Sequence, residues 1–102
     1  MPVNKILSML GLCRRAGRIQ LGHDPVLESV RSGKARLVLL ARDLSAHTAG
    51  GIQYAAQQMG IPVCVLSCTM EEMGAALGKY AGAAAVEDTG FANKLKTLCT
   101  DR

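Results

Sequence analysis

The run Leu37-Val38-Leu39-Leu40-Ala41 is apolar at every position and is bracketed by Arg36 and Arg42. A strand with one solvated face alternates polar with apolar residues, so an unbroken run is expected of a strand covered on both faces. Val63-Cys64-Val65-Leu66 repeats the signal as a second buried strand, and Ile61-Pro62 opens it, Pro being tolerated at a strand's start. Ala83-Ala84-Ala85-Val86 reads as a small-residue strand, and Ile19-Gln20-Leu21 as a short alternating one. Four such strands demand a layer of helices on each side.

The segments between them supply those helices. Asn4 is placed to cap a first helix in which Ile6, Leu7, Leu10 and Cys13 recur at helical spacing, with Gly17 closing it. Asp24 reads as an N-cap followed by Pro25 at the first helical position, and Val26, Leu27, Val30 and the closing Gly33 complete a second helix. Ser45 caps a third that runs to Met59 and ends at Gly60. Its internal Gly50-Gly51 costs roughly 1 kcal/mol per residue relative to Ala, so a late start, a bend or close packing on the sheet is expected there. Thr69-Met70-Glu71-Glu72 has the form of a capping box and opens a fourth helix ended by Gly78-Lys79, and Phe91, Leu95 and Leu98 mark a fifth. The order α-β-α-β-α-β-α-β-α predicts an α/β chain with one central sheet of four strands between helical layers. At 102 residues this is one domain, spanning residues 1–102. Two Tyr, one Phe and no Trp leave a core of Leu, Val, Ile, Met and Ala, which favours closely packed layers over a deep pocket, so no small-molecule substrate is expected.

Charge is distributed unevenly. Residues 1–42 carry eight basic against two acidic side chains, a net of +6, whereas residues 43–102 carry four against six, a net of −2. A basic half points to an acidic partner, of which nucleic acid is the commonest for a small domain. No apolar run approaches the roughly 20 residues that span a bilayer, and the first residues lack the pattern of a signal peptide, so a cytoplasmic protein with no membrane partner is expected. In that reducing setting Cys13, Cys64, Cys68 and Cys99 read as free thiols; the Cys64/Cys68 spacing fits neither a redox motif nor a zinc site, and no metal or cofactor is expected.

Constellations for catalysis are thin. His23 beside Asp24 resembles a His–carboxylate pair, but neighbours at a helix start more often point apart. His47 reads as a solvated or capping side chain. Cys68 stands before a helix N-terminus without an assignable base, so a turn cysteine is the simpler account. Binding is better served. Ligand loops of alternating α/β folds gather at the carboxyl ends of strands, and three loops have that character: Gly22-His23-Asp24, Arg42-Asp43-Leu44-Ser45 and Leu66-Ser67-Cys68-Thr69. If they converge, Arg42 and the basic residues near it supply phosphate contacts, and residues 66–69 pack on an unstacked base.

The segments GLCRRAGRIQLG, VRSGKARLVLLARD, IPVCVL and TMEEMGAALGK together resemble the superfamily of kink-turn RNA-binding ribosomal proteins, and within it the small bacterial YlxQ-type branch. The likeness runs from about Asn4 to Leu98. It implies a three-layer α/β/α sandwich around one four-stranded sheet, no enzyme activity, and an RNA-binding edge built from the same three loops. The RNA-binding residues expected are Gly22, His23, Asp24, Arg42, Asp43, Leu66, Ser67, Cys68 and Thr69, with Arg14, Arg15, Arg18, Lys34 and Arg36 as phosphate contacts; the partner is kink-turn or ribosomal RNA, in association with the ribosome. The family's motif places Asn-Glu after the glycine and Lys three residues beyond the Glu. Here Gly22 matches, but Asp24 stands for the Asn, Pro25 for the Glu and Glu28 for the Lys. Ionised Asp only accepts hydrogen bonds, and Pro25 offers no side-chain partner. Glu28 sets a negative charge where RNA would approach. The rival expectation is therefore a protein-interaction module on the same fold that no longer reads kink-turn RNA.

Overall fold

The computed structural model describes residues 2–100. The chain runs through α1 (Val3–Arg15), β1 (Ile19–Leu21), α2 (His23–Arg31), β2 (Leu37–Leu40), α3 (Ala46–Gln58), β3 (Val63–Val65), α4 (Met70–Leu77), β4 (Ala83–Val86) and α5 (Thr89–Thr100). The four strands form one sheet in the order β1-β4-β2-β3. β2 explains the layering. Leu37 and Leu39 point into one core cluster with Ile6, Leu10 and Cys13 of α1, Met73 and Leu77 of α4, and Ala92 and Leu95 of α5. Val38 and Leu40 point into the other, with Val26 and Val30 of α2 and Ile52, Ala55 and Ala56 of α3. Period-two alternation of an all-apolar strand thus feeds both faces, and the result is the expected α/β/α sandwich. The alanines of the inner strand β4 serve both clusters and let the layers approach closely.

Two element starts differ from expectation. α1 begins at Val3 with Pro2 as N-cap and no side-chain cap, the Ile6 N–H donating to the Pro2 carbonyl at 3.1 Å, so Asn4 lies inside the first turn. α2 begins at His23 with Gly22 as N-cap; Asp24 and Pro25 are its second and third residues. Gly22 has φ 98° and ψ 166°, a conformation all but closed to other residues, and it swings the end of β1 directly into the helix. Pro25 costs nothing there, because the first intrahelical bond is made by the Val26 N–H to the Gly22 carbonyl at 3.1 Å. The end of α1 is as expected: Gly17 (φ 71°) follows its last turn, with Gly17 N–H donating to Arg14 O and Arg18 N–H to Cys13 O, both at 3.0 Å.

β3 is also different. It is a partly exposed edge strand and not a buried one, with Val65 50% exposed, because only β2 pairs with it. Leu66, just beyond it, is the buried residue.

Strand direction positions everything that follows. β3 is parallel to β2, and β4 is antiparallel to both β1 and β2, so β1, β2 and β3 all end on one edge of the sheet and β4 begins there. β4 reverses because residues 79–82 carry the chain back along α4. A Cβ built on Gly74 would lie 3.0 Å from the Tyr80 Cα, and one on Gly82 2.7 Å from Leu44 Cδ1 and from Met70 Sδ. Glycine keeps this return close: a Cβ on Gly74 would press on the Tyr80 backbone, and one on Gly82 on the ends of two flexible side chains.

Candidate functional site

The shared edge carries three strand-to-helix junctions, and hydrogen bonds lock two of them together. The Arg42 backbone N–H donates to the Cys68 carbonyl at 2.9 Å and its Nε to the Ser67 carbonyl at 3.0 Å. Asp43 Oδ1 accepts from the Met70 N–H at 2.8 Å and so caps α4 from a neighbouring loop. The capping box expected at Thr69 is formed: Thr69 Oγ1 accepts from the Glu72 N–H at 3.1 Å, and Glu72 Oε1 accepts from the Thr69 N–H at 2.9 Å. The Thr69 N–H, with the Thr69 hydroxyl also donating to Oε1 at 3.1 Å, holds the Glu72 carboxyl below its ordinary range. The third junction, Gly22, is tied to the same edge by its N–H donation to the Ala83 carbonyl at 3.1 Å.

The edge presents mixed polarity. Arg42 is exposed and spends on Ser67 one of the five N–H groups a guanidinium carries. Asp24 is 95% exposed, and its Oδ1 lies 2.9 Å from His23 Nδ1, the only contact between a basic side chain and a carboxylate within bonding distance among the described residues. Neighbours at this helix start therefore do meet, out in solvent, where such a pair contributes at most about 1 kcal/mol. Leu66 and Cys68 are 2% and 1% exposed and turn into the core, leaving Ser67 as the exposed side chain of their loop and Thr69 half-buried beside it. Burial raises the Cys68 thiol above its usual range, with Glu72 and Asp43 adding to the shift, which disfavours a nucleophilic thiolate.

The expected site residues divide between the two ends of the sheet. Gly22, His23, Asp24, Arg42, Asp43, Leu66, Ser67, Cys68 and Thr69 gather at the edge just described. Arg14, Arg15, Arg18, Lys34 and Arg36 lie at the opposite edge: the Glu87 N–H donates to the Arg18 carbonyl at 2.8 Å and the Arg36 N–H to the Val86 carbonyl at 2.7 Å, both at the far end of β4. The molecule spans 26–29 Å along its principal axes, so these are separate surfaces.

Sequence reasoning undervalued one neighbour of the loop edge. α3 starts at Ser45 as expected, whose Oγ accepts from the Thr48 N–H at 3.2 Å, and it runs unbroken through Gly50-Gly51. Neither glycine packs on the sheet; apart from the helix's own backbone and their immediate neighbours, no atom lies within 4 Å of where a Cβ would stand on either. They line an open depression of about 600 Å³ with His23, His47 and Thr48. In the sequence they read as a late start, a bend or close packing on the sheet; the helix instead begins at Ala46 and leaves both glycines exposed. On the other side of α2 a smaller depression of about 360 Å³ is lined by Asp24, Glu28 and Glu87 against the single cation Lys34.

Comparison with known proteins gives these surfaces a context. Residues 4–96 match the ribosomal protein L7Ae/L30e/S12e/Gadd45 family. The RNA-binding protein YlxQ of Bacillus subtilis (strain 168) is 36% identical over 91 residues, covering 88% of this chain and 90% of that protein. The large ribosomal subunit protein eL30 of Dictyostelium discoideum is 31% identical over 93 residues, covering 89% and 83%. Among solved structures, a protein of unknown function from Bacillus halodurans C superposes with a TM-score of 0.89 at 34% identity over 95% of this chain and 98% of that one. The 15.5 kD RNA-binding protein of Giardia lamblia, at 17% identity, shares the fold with a TM-score of 0.82 over 95% and 86%. With the match covering nearly its whole length and the sandwich in place, the chain belongs to the L7Ae/L30e/S12e/Gadd45 family of ribosomal proteins.

Proposed function

We propose that this protein binds RNA through the loop edge, in the cytoplasm and in association with the ribosome, and that it does so without catalysing a reaction. The observation that carries this is the convergence of Gly22, Arg42 and residues 67–69 on one edge, locked by the Arg42–Ser67, Arg42–Cys68 and Asp43–Met70 hydrogen bonds. A preorganised edge of this kind presents a fixed cation and fixed backbone groups to RNA, so little ordering entropy is lost on binding. The names of the relatives agree with it, one being called an RNA-binding protein and another a large ribosomal subunit protein.

The same residues shape how RNA is read. With Pro25 and Glu28 where the family motif has Glu and Lys, α2 offers the sheared G·A pairs of a kink-turn neither the paired carboxylate nor the cation. Asp24 is left to accept from guanine donors. The acidic depression beside Glu28 and Glu87 repels phosphate, whereas the His23, His47 and Gly50-Gly51 side carries no carboxylate among its lining residues. RNA therefore lies across the α2–α3 side of the edge, its backbone against the bare glycines, and kink-turn affinity is weaker than the full motif would provide.

The test is a salt titration of binding to a kink-turn hairpin and to ribosomal RNA fragments, with Arg42→Glu compared against Lys94→Glu/Lys96→Glu on α5. Phosphate contacts make log affinity fall linearly with log salt, by roughly 0.7–0.9 per contact, and Arg42→Glu should cost on the order of tenfold or more while the α5 pair costs little. Equal losses from both would reduce the interaction to diffuse charge, and no salt-dependent binding to any of these RNAs would leave the protein-interaction module as the better account.

A further inference from the structure

We propose that the arginine-rich end of the sheet is a second RNA-contacting surface, one that grips the phosphodiester backbone of the same RNA beyond the loop edge. This rests on the RNA-binding reading above and extends it to a face that the loop edge cannot reach. Arg18 and Arg36 flank the end of β4 from its two neighbouring strands, through the Glu87–Arg18 and Arg36–Val86 backbone hydrogen bonds of 2.8 and 2.7 Å. Strands about 4.8 Å apart set their backbones roughly 10 Å from each other. Arg14 and Arg15 join them from the last turn of α1, Arg31 from the last turn of α2, and Lys34 from the turn that follows. All six are exposed.

Structural duties account for only part of this charge. Arg14 lies over the end of α4, its Nη1 3.1 Å from where a Cβ on Gly78 would stand, and there it complements the helix dipole. Arg36 Nη1 reaches the Gly33 carbonyl at a long 3.4 Å. Among the described residues none of the six is within ion-pair distance of a carboxylate. Two of the acidic residues at this end are held by internal donors: Glu87 accepts from Ser29 Oγ at 2.7 Å and Gln20 Nε2 at 3.4 Å, and Asp88 caps α5 by accepting from the Phe91 N–H at 2.8 Å. Lys34 faces Glu28 and Glu87 across their shared depression, so the free positive charge at this end is that of the five arginines, Arg14, Arg15, Arg18, Arg31 and Arg36.

The choice of residue points to phosphate. Five of the six are arginines, whose planar fork pairs with phosphate oxygens bidentately, whereas the exposed cations of α5 are the lysines Lys94 and Lys96. A molecule 26–29 Å across separates the two ends, a span of roughly eight to ten base pairs of duplex. A short folded motif fills the loop edge alone. An RNA with a longer flanking stem reaches the arginines.

The test uses two hairpins carrying the same kink-turn, one trimmed to the motif and one with a stem lengthened by about ten base pairs, titrated by fluorescence anisotropy across a range of KCl. Three proteins are compared: the unsubstituted chain, Arg15→Gln/Arg18→Gln/Arg36→Gln, and Arg42→Gln. The long hairpin should bind the unsubstituted protein with the steeper salt slope. The triple variant should lose about 2 to 3 from that slope and on the order of tenfold in affinity for the long hairpin, with the short one unchanged. No loss on the long hairpin, or equal loss on both, overturns the proposal. If Arg42→Gln weakens both hairpins while the triple variant weakens neither, RNA binding at the loop edge stands and the second surface falls. If the unsubstituted protein binds neither hairpin nor the ribosomal RNA fragments, both fall. Should the triple variant fail to fold by circular dichroism, photocrosslinking of the unsubstituted protein to the long hairpin decides: crosslinks in residues 14–18 and 34–36 support the second surface, and crosslinks confined to the loops overturn it.

Discussion

Gly22 does at residue scale what no other side chain allows. Its φ of 98° and ψ of 166° carry β1 into α2 without an intervening loop, and Gly22→Ala should destabilise the protein by about 1–3 kcal/mol. A urea midpoint lowered at unchanged m-value would show it, and a neutral result would mean the junction relaxes. The substitutions Asp24→Asn, Pro25→Glu and Glu28→Lys made together should strengthen binding to a kink-turn hairpin, since they restore the donor, the carboxylate and the cation that the family motif supplies. Affinity left unchanged would mean that α2 does not face the RNA. Cys13, fully buried, has its thiol raised to about 11 by burial first and by Asp88 and Glu87 next. Burial and the adjacent Cys64 thiol push Cys99 up to about 12. All four cysteines are free, but these two should alkylate slowly in the native protein at neutral pH, because the thiolate is the reactive form. Linkage gives the companion effect. The unfolded chain releases the Cys13 proton near 9 and the folded one only near 11, so its contribution is intact below pH 9 and is lost as pH climbs toward 11. Unfolding curves of Cys13→Ala between those values should decline less steeply than those of the unsubstituted protein.

At the scale of elements, α4 is the part whose stability and function are joined. Its N-terminus is capped twice, by its own Thr69 and by Asp43 from the loop after β2. Thr69→Ala should cost about 1 kcal/mol, in the range of lost N-caps. Combined with Asp43→Ala the losses should be non-additive, because both act on one helix start; simple additivity in chemical denaturation would show the two caps to be independent. Gly82→Ala would drive a Cβ to 2.7 Å from both Leu44 and Met70. Both are the ends of flexible side chains, so it should cost only about 1 kcal/mol by overpacking, read as a small drop in the urea midpoint. These elements were well marked in the sequence because their signals are local: the Thr69 capping box, the Ser45 cap and the glycine after α1 each act within a few residues. Asn4 and Asp24 were misplaced for an equally local reason, since a good capping residue one or two positions inside a helix looks the same as one at its start, and Gly22 carries no side chain to announce the true boundary.

The whole molecule is where the two kinds of information part. Alternating apolar runs and helical periods, read along the chain, determined the order of elements, the two-sided burial of β2 and the α/β/α layers, because hydrophobic periodicity is written residue by residue and burial simply obeys it. Strand order and direction are not written that way. They follow from which helices fill which face, and from the return of residues 79–82 over Gly74 and past Gly82 that turns β4 against its neighbours. Strand order left β3 a half-exposed edge, paired with β2 alone. The common direction of β1, β2 and β3 gathered Gly22, Arg42 and residues 67–69 on one side of the sheet and left Arg14, Arg15, Arg18, Lys34 and Arg36 at the other. The sequence showed that the charge was concentrated in residues 1–42; only the tertiary structure could divide it between two faces, because distance along a chain says nothing of distance across a sheet.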